Sequence, residues 1–459
     1  MSDRNRGITE GVIWKQLLLF FFPILLGTFF QQLYNTADSM IVGQFVGKEG
    51  LAAVGGTTGT LAGLLVNFFV GLSSGATVIL SQYYGARDGK NVSRTVHTAI
   101  ALSIAGGVVL MIVGIAFSPI ILRWLNTTED VLPLAVSYLR IYFCGVIPSL
   151  IYNIGAGILR AVGDSKRPLY FLIASCLTNI VLDLVFVAVF GWGVAGAALA
   201  TIMSQAISAL LVIRTLRSAS PELQLHAKQI RLHGDLLRRV VHIGLPAGLQ
   251  SVMYSLSNLI IQSAINTFGT DLMAAFTAYS KLDALFWMIS SAFGVTITTF
   301  VGQNYGAGKY DRMRKCTRTC LFMHAGTTIA VSALLMLCGR ILFHLFTGDE
   351  TVVQLGIQMQ MLIVPFFITY TPVEIFCGTV RGTGDALRPM LMCLAGVCFT
   401  RVLWVKLIAP LQPDSFLFML TCYPISWGLT GFFFTLYYFF GPWKKKIPGF
   451  FARKAENAC

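Results

Sequence analysis

The chain is poor in charge. Of its 459 residues only 12% are Asp, Glu, Lys or Arg, against 55% hydrophobic; this is about half the charge density of an ordinary soluble domain and excludes most soluble folds. It also lacks the cysteine and histidine patterns that mark metal or disulfide frameworks. The ten cysteines form no Cys-x-x-Cys pair and mostly fall inside apolar runs, where a reduced thiol packs as a small hydrophobe. None of the six histidines forms an i, i+4 pair with a glutamate, so a zinc hydrolase has no support. No metal or nucleophile cluster stands at an interface, and neither an enzyme nor a cofactor is expected. The first twelve residues are polar and the run after them is too long for a signal-peptide core, so no cleaved leader is expected.

What fills the chain instead is long apolar runs, such as Ile13 to Tyr34 and Leu169 to Phe190; about 20 such residues carry a helix across the hydrocarbon layer. The pattern predicts twelve helices near residues 14–45, 51–80, 92–118, 132–159, 169–190, 194–214, 238–267, 272–301, 315–345, 352–380, 389–410 and 415–440. The longest polar stretch, 215–237, divides them six and six. The expected organisation is therefore an N-terminal lobe over 1–214, a linker over 215–237, a C-terminal lobe over 238–440 and a basic tail over 441–459.

A net charge of +14 would suit nucleic acid only if the basic residues shared one soluble face. They gather at alternate joints between runs, which hold 27 of the 34 Lys and Arg. Under the positive-inside rule those joints and both termini are cytoplasmic, and the number of spans is even. A bacterial plasma membrane, a monomeric chain and no nucleic-acid partner are expected.

The halves repeat each other. Arg160-x-x-Gly163-Asp164-x-x-Arg167-Pro168 returns 221 positions later as Arg381-x-x-Gly384-Asp385-x-x-Arg388-Pro389, and Gln82-x-Tyr84-Gly85-Ala86 returns at the same offset as Gln303-x-Tyr305-Gly306-Ala307. Pro23 returns as Pro246, two positions further out of step. With an even number of spans per half, both copies enter the membrane from the same side. In the Arg-x-x-Gly-Asp motifs the glycine suits a left-handed helix stop, and Pro168 or Pro389 suits the first turn of the next helix. A structural turn is the expected role.

Ionisable groups within apolar runs cost about 2.5–3.5 kcal/mol each even on a lenient scale, so each calls for a reason. Asp38 lies toward the outer end of the first helix and Asp183 past the midpoint of the fifth; Asn179 stands one turn from Asp183 on the same face. Thr201, two turns into the sixth helix, falls at a similar depth. Two carboxylates, an amide and a hydroxyl offer hard oxygen ligands to a small cation. They can equally hold a proton, because close carboxylates in low dielectric do not both ionise. In the second half, Glu374 stands seven residues before Arg381, as Asn153 does before Arg160. A Glu374–Arg401 pair lining a cavity is expected, since a buried arginine needs a carboxylate. Lys281 and Asp283 face different ways, and Arg140 reaches the surface. Tyr34, Asn35, Asn153, Tyr254, Trp287, Met288 and Tyr370 are candidate cavity walls.

The run Tyr34-Asn35-Thr36-Ala37-Asp38-Ser39-Met40-Ile41-Val42-Gly43, the duplicated turns and loops, and Asn179-x-x-x-Asp183 resemble the multidrug and toxic compound extrusion (MATE) family, in its DNA-damage-inducible-type prokaryotic branch, from about Trp14 to Phe440. The resemblance implies an all-α integral membrane protein with about twelve spans, in two parallel-repeat six-helix lobes around a V-shaped cavity. It implies exchange of H⁺ or Na⁺ for small organic cations or drugs, with Asp38, Asn179, Asp183 and Thr201 as the cation-coupling set. Other members carry a coupling Glu on the seventh helix and Asp on the tenth; Tyr254 and Tyr370 stand there in this chain. A lipid-linked sugar flippase of the same superfamily would want a more basic cavity, and an ion channel would show conductance without exchange.

Overall fold

In the computed structural model, which describes residues 8–125 and 127–446, the described residues form helices and no strand. Twelve helical rods follow one another: α1 (Ile13–Phe45), α2 (Lys48–Gly85), α3 (Gly89–Trp124), α4 (Leu132–Cys144 and Val146–Ala161, bent by 49°), α5 (Lys166–Val189), α6 (Gly193–Arg217), α7 (Gly234–Ile265), α8 (Thr270–Gly306), α9 (Tyr310–His344), α10 (Glu350–Gly382), α11 (Leu387–Leu411) and α12 (Phe416–Lys444). Ten of them are long and apolar enough to cross a membrane, and bent α4 makes an eleventh; the chain is a multi-pass membrane protein. The predicted basic tail lies outside the described residues from position 447 onward.

Most rods run a few residues further than the apolar pattern, and polar side chains cap the starts of some of them. Asp88 accepts from the backbone N–H of Asn91 at 3.1 Å at the start of α3, and Asp349 does the same for Thr351 at 2.8 Å at the start of α10. Each satisfies a donor that a helix start leaves bare.

The sequence repeat is a repeat of hydrogen bonds. Gly163 and Gly384 both take left-handed backbone (φ 96° and 94°), and their N–H groups donate to the carbonyls of Arg160 and Arg381 at 2.9 Å in each case. Asp164 then accepts from the N–H groups of Lys166 and Arg167 at 3.2 and 3.1 Å. Asp385 likewise accepts from the Arg388 N–H at 3.5 Å and pairs with the Arg388 guanidinium at 2.9 Å, as Asp164 pairs with that of Arg167 at 3.3 Å, and it adds a bond from the Tyr437 hydroxyl at 3.1 Å. The other loop repeats as closely: Arg87 donates to Tyr84 O and Gly308 to Tyr305 O, both at 3.1 Å. Arg87 (φ 57°) holds the left-handed place that Gly308 (φ 69°) fills at the equivalent turn.

Small residues set the helix crossings. Gly157 of α4 meets Thr77 of α2, and its equivalent Gly378 of α10 meets Thr298 of α8, whose hydroxyl reaches Gly378 O at 3.2 Å. Close backbone approach through small residues is how helices associate where no hydrophobic drive separates them from lipid.

The chain divides into two compact units whose boundaries fall inside α1 and α7: one runs from Leu19 to Gly248, and the other takes the residues up to Leu18 with those from Leu249 on. In the first unit, Gly71 and Gly75 of α2 lie against the backbone of α7 at Gly244 and Gly248, where no side chain would fit. The segment predicted as a linker also docks there, with the His226 N–H donating to His97 Nε2 at 3.1 Å and Arg94 pairing with Asp235 at 3.0 Å. In the second unit, Arg312 of α9 donates to the carbonyls of Glu10 and Gly11 at 2.7 and 2.9 Å and to Gln16 Oε1 at 2.9 Å.

Candidate functional site

Three polar residues of the first unit are buried deep within apolar helices: Asp183 (0% exposed) and Asn179 (1%) on α5, and Asp38 (6%) on α1. The carboxyls of Asp38 and Asp183 are neighbours, close enough for each to feel the other. Neither Asp183 oxygen, nor Asp38 Oδ1, nor either polar atom of the Asn179 amide has a protein hydrogen-bond partner. Buried polar atoms are nearly always satisfied, so five unsatisfied atoms on two facing helices mark a place built for something else. Four of the five, the three carboxylate oxygens and Asn179 Oδ1, only accept when the acids are ionised; their missing partner donates a proton or carries positive charge, whereas Asn179 Nδ2 is a donor. Directly after Asp183, α5 passes into a π-helical turn over Leu184–Val189, a departure from regular helix that recurs at functional sites.

Around the acids stands a wall of tyrosines. Tyr34 of α1 faces Asp38 and meets the Gln205 side chain, while Tyr138 of α4 stands near both acids and stacks on Tyr142 with centroids 6.0 Å apart. A narrow pocket beside them is lined by Tyr142, Ser149, Thr201 and Gln205. Thr201 thus reaches the site as a pocket wall, its hydroxyl donating to Ala197 O of its own helix at 3.1 Å. Asn153 is half-buried and donates to Ser149 O at 2.9 Å; Asn35 is exposed. Tyr138, Tyr142 and Gln205 had no role in the sequence reading. The signal available was the i, i+4 tyrosine pair in an otherwise apolar helix, a pattern that ordinary packing also produces.

In the second unit the expected Glu374–Arg401 pair does not form. Arg401 Nε donates to Ser426 Oγ at 3.1 Å and Nη1 to Asn258 Oδ1 at 3.0 Å, and its guanidinium carbon lies 4.4 Å from the Tyr423 ring centroid. Glu374 lies near Tyr370, Arg381 and Cys377, and abuts Gly294. The reason is local. π-helical turns over Leu394–Phe399 and Trp404–Ile408 flank Arg401, and each shifts the helical register, turning the guanidinium toward α7 and α12. Asp283 accepts from Trp287 Nε1 at 2.6 Å, and Lys281 is exposed. Tyr370 packs edge-on to Trp287 at 4.9 Å; Met288 and Tyr254 are half-buried.

A multi-pass helical protein made of two copies of one six-helix pattern, with unsatisfied acids deep in one copy, has the build of a secondary transporter. The MatE family model matches the chain twice, over residues 23–185 and 246–404, and the chain belongs to that family of membrane transporters. It is 26% identical to the probable multidrug resistance protein YoeA of Bacillus subtilis over 441 residues, 95% of each chain. With YpnP of the same organism, also a probable multidrug resistance protein, identity is 29% over 84% of this chain and 86% of that one. Among solved structures, a MOP superfamily transporter from Pyrococcus furiosus shares the fold with a TM-score of 0.87 at 22% identity, over 97% of this chain and 98% of the other.

Proposed function

We propose that the protein is a multidrug exporter that exchanges H⁺ or Na⁺ for organic, mostly cationic amphipathic compounds by alternating access. One observation carries this reading: four unsatisfied acceptor oxygens of Asp38, Asn179 and Asp183, buried in the apolar interior of the first unit. Relatives named as multidrug resistance proteins support the cargo. A small cation between the two carboxyls relieves an uncompensated buried charge, and its affinity depends on how closely α1 and α5 hold them. Loading the site therefore favours one packing of the first unit over another, and by linkage cargo that favours the second packing expels the ion. The pocket lined by Tyr142, Thr201 and Gln205 shares Tyr142 with the tyrosine wall around the acids and can feel that change. By the positive-inside rule the termini are cytoplasmic.

Vesicles containing the purified protein and a fluorescent organic cation test this under separate proton and sodium gradients. Dye movement driven by one gradient is expected, with Asp183→Asn abolishing it while the protein still folds in membranes. Wild-type movement in that variant would remove the coupling assignment, and movement indifferent to both gradients would remove exchange.

A further inference from the structure

The chemistry of the first unit leaves Arg401 unexplained. Its side chain is 2% exposed in the middle of α11, where a charge needs compensation. Its two hydrogen-bond partners, Ser426 and Asn258, are neutral, and Nη2 has no partner. The rings of Tyr423 and Trp427 stand 4.4 and 5.6 Å from the guanidinium carbon. Trp427 is itself 1% exposed, and its Nε1 is a second donor with no acceptor. Among the described residues no carboxylate pairs with Arg401. The acid whose field reaches it, Asp283, is tied through one oxygen to Trp287 Nε1. A purely structural buried arginine normally meets an acid or spends its donors on carbonyls. Here two N–H donors on neighbouring side chains are left wanting oxygen. The surroundings are aromatic: Trp287 and Phe367 pack on Trp427 with centroids 5.9 and 5.8 Å away, and Tyr370 closes on Trp287.

We infer that the interior of the second unit binds the anionic group of an aromatic compound, a carboxylate accepting from Arg401 Nη2 and Trp427 Nε1 while its ring packs among Trp287, Tyr370 and Trp427. One carboxylate oxygen takes the free Nη2 donor in a charge-assisted bond and the other takes the Trp427 N–H, since Nε and Nη1 are already engaged. Asp283, with Oδ1 also unpartnered, disfavours a second negative charge, so the ligand is a monoanion. The inference rests on the exporter reading in treating this compound as cargo, and it extends that cargo beyond cations.

The test uses two probes of one shape and opposite charge, 2-naphthoate and 2-naphthylmethylammonium, in equilibrium dialysis against the purified full-length protein. The wild type is expected to hold the naphthoate at least about tenfold more tightly than the ammonium compound. Arg401→Gln removes that preference and Arg401→Lys restores part of it, since a lysine keeps the charge without the fork. Trp427→Phe, which keeps the ring and deletes the N–H, weakens naphthoate by a smaller factor and serves if Arg401→Gln does not fold. Equal wild-type binding of the two probes, or naphthoate binding untouched by Arg401→Gln, overturns the inference. Gradient-driven export of a cationic dye is read separately: its failure with naphthoate still bound through Arg401 would sink the exporter reading and leave this site standing.

Discussion

The two units share their turns and differ in their interiors. At the repeat offset, Asn179, Asp183 and Thr201 of the first half correspond to Thr400, Trp404 and Cys422 of the second, and Asp38, with the two-residue slip, to Ile261. In the other direction Glu374 replaces Asn153 and Arg401 replaces Ile180. Even the π-helical turn after Asp183 has its counterpart at Trp404–Ile408. A duplicated scaffold must reverse the chain at the same places, so the Gly-Asp turns persist. Buried charge is placed differently in the two halves: the neighbouring acids Asp38 and Asp183 in the first, and Asp283, Glu374 and Arg401 in the second.

The largest effect expected from this asymmetry is functional. Asp38→Asn in reconstituted vesicles should reduce gradient-driven dye export to the level of empty vesicles, whereas Glu374→Gln should keep most of it, because Glu374 has the positive charge of Arg381 nearby and Asp38 has no such neighbour among the described residues. Asp38→Asn should also raise the unfolding free energy of the protein without its ion by about 1–3 kcal/mol, because it removes a charge beside Asp183 and offers an N–H donor to an unsatisfied acceptor. Export lost equally in both variants would erase the distinction between the halves.

A smaller effect tests how the second interior was made. Glu374 abuts Gly294, while in the first half the equivalent positions hold Asn153 and Ser73. Gly294→Ser drives a side chain into the Glu374 carboxyl and should cost about 1–3 kcal/mol, as overpacking does. Adding Glu374→Asn recreates the pair of the first half and should recover most of that loss, an interaction read directly by a double-mutant cycle. Additive losses would show that the two positions are not coupled.

A third comparison concerns the repeated loop. Gly308→Ala places a Cβ on left-handed backbone and should lower stability by about 1 kcal/mol. Arg87→Gly relieves the same conformation in the first half and should gain a few tenths of a kcal/mol, relief being partly offset by glycine's entropy. Thermal unfolding of the two variants beside the wild type measures both, and equal shifts of the same sign would contradict the geometry.

The fold was readable because its determinants are local or periodic: apolar runs of span length, left-handed turn glycines, and an offset kept through both halves. The acids of the first unit could be singled out because a carboxylate in an apolar helix is costly enough to be rare. The partner of Arg401 could not, since pairing by helix order assumes 3.6 residues per turn throughout and the π-helical turns on either side break that assumption. The unit boundaries escaped for a different reason. Polarity marks where chain leaves the membrane, whereas the glycine contacts of Gly71 and Gly75 with α7 and the Arg312 contacts with residues near Gly11 decide which unit a helix end joins.

The smallest expected effect distinguishes the first unit by the segment that docks on it. His233 Nε2 accepts from the Arg231 Nε–H at 3.1 Å, so its Nδ1 carries the proton and donates to Thr98 Oγ1 at 2.9 Å. His97 is fixed the same way: the His226 N–H donates to Nε2 at 3.1 Å, and Nδ1 donates to Ser93 O at 2.7 Å. Both rings dock in the neutral form. Burial, with the Arg94 and Arg231 guanidiniums and against the pull of Asp235, holds His233 below the ordinary histidine value. A base depressed in the docked state contributes its full stabilisation above its undocked value of about 6.5 and loses it as pH falls from there toward the docked value. Hydrogen-exchange protection of residues 226–233 should therefore be flat well above the undocked value of about 6.5 and decline as pH falls below it, after correction for intrinsic exchange. His233→Gln, which can still accept from Arg231, should flatten the part of the decline owed to that ring. Protection that rises on acidification would mean the segment docks through protonated histidines, and the tautomers assigned from these donors would be wrong.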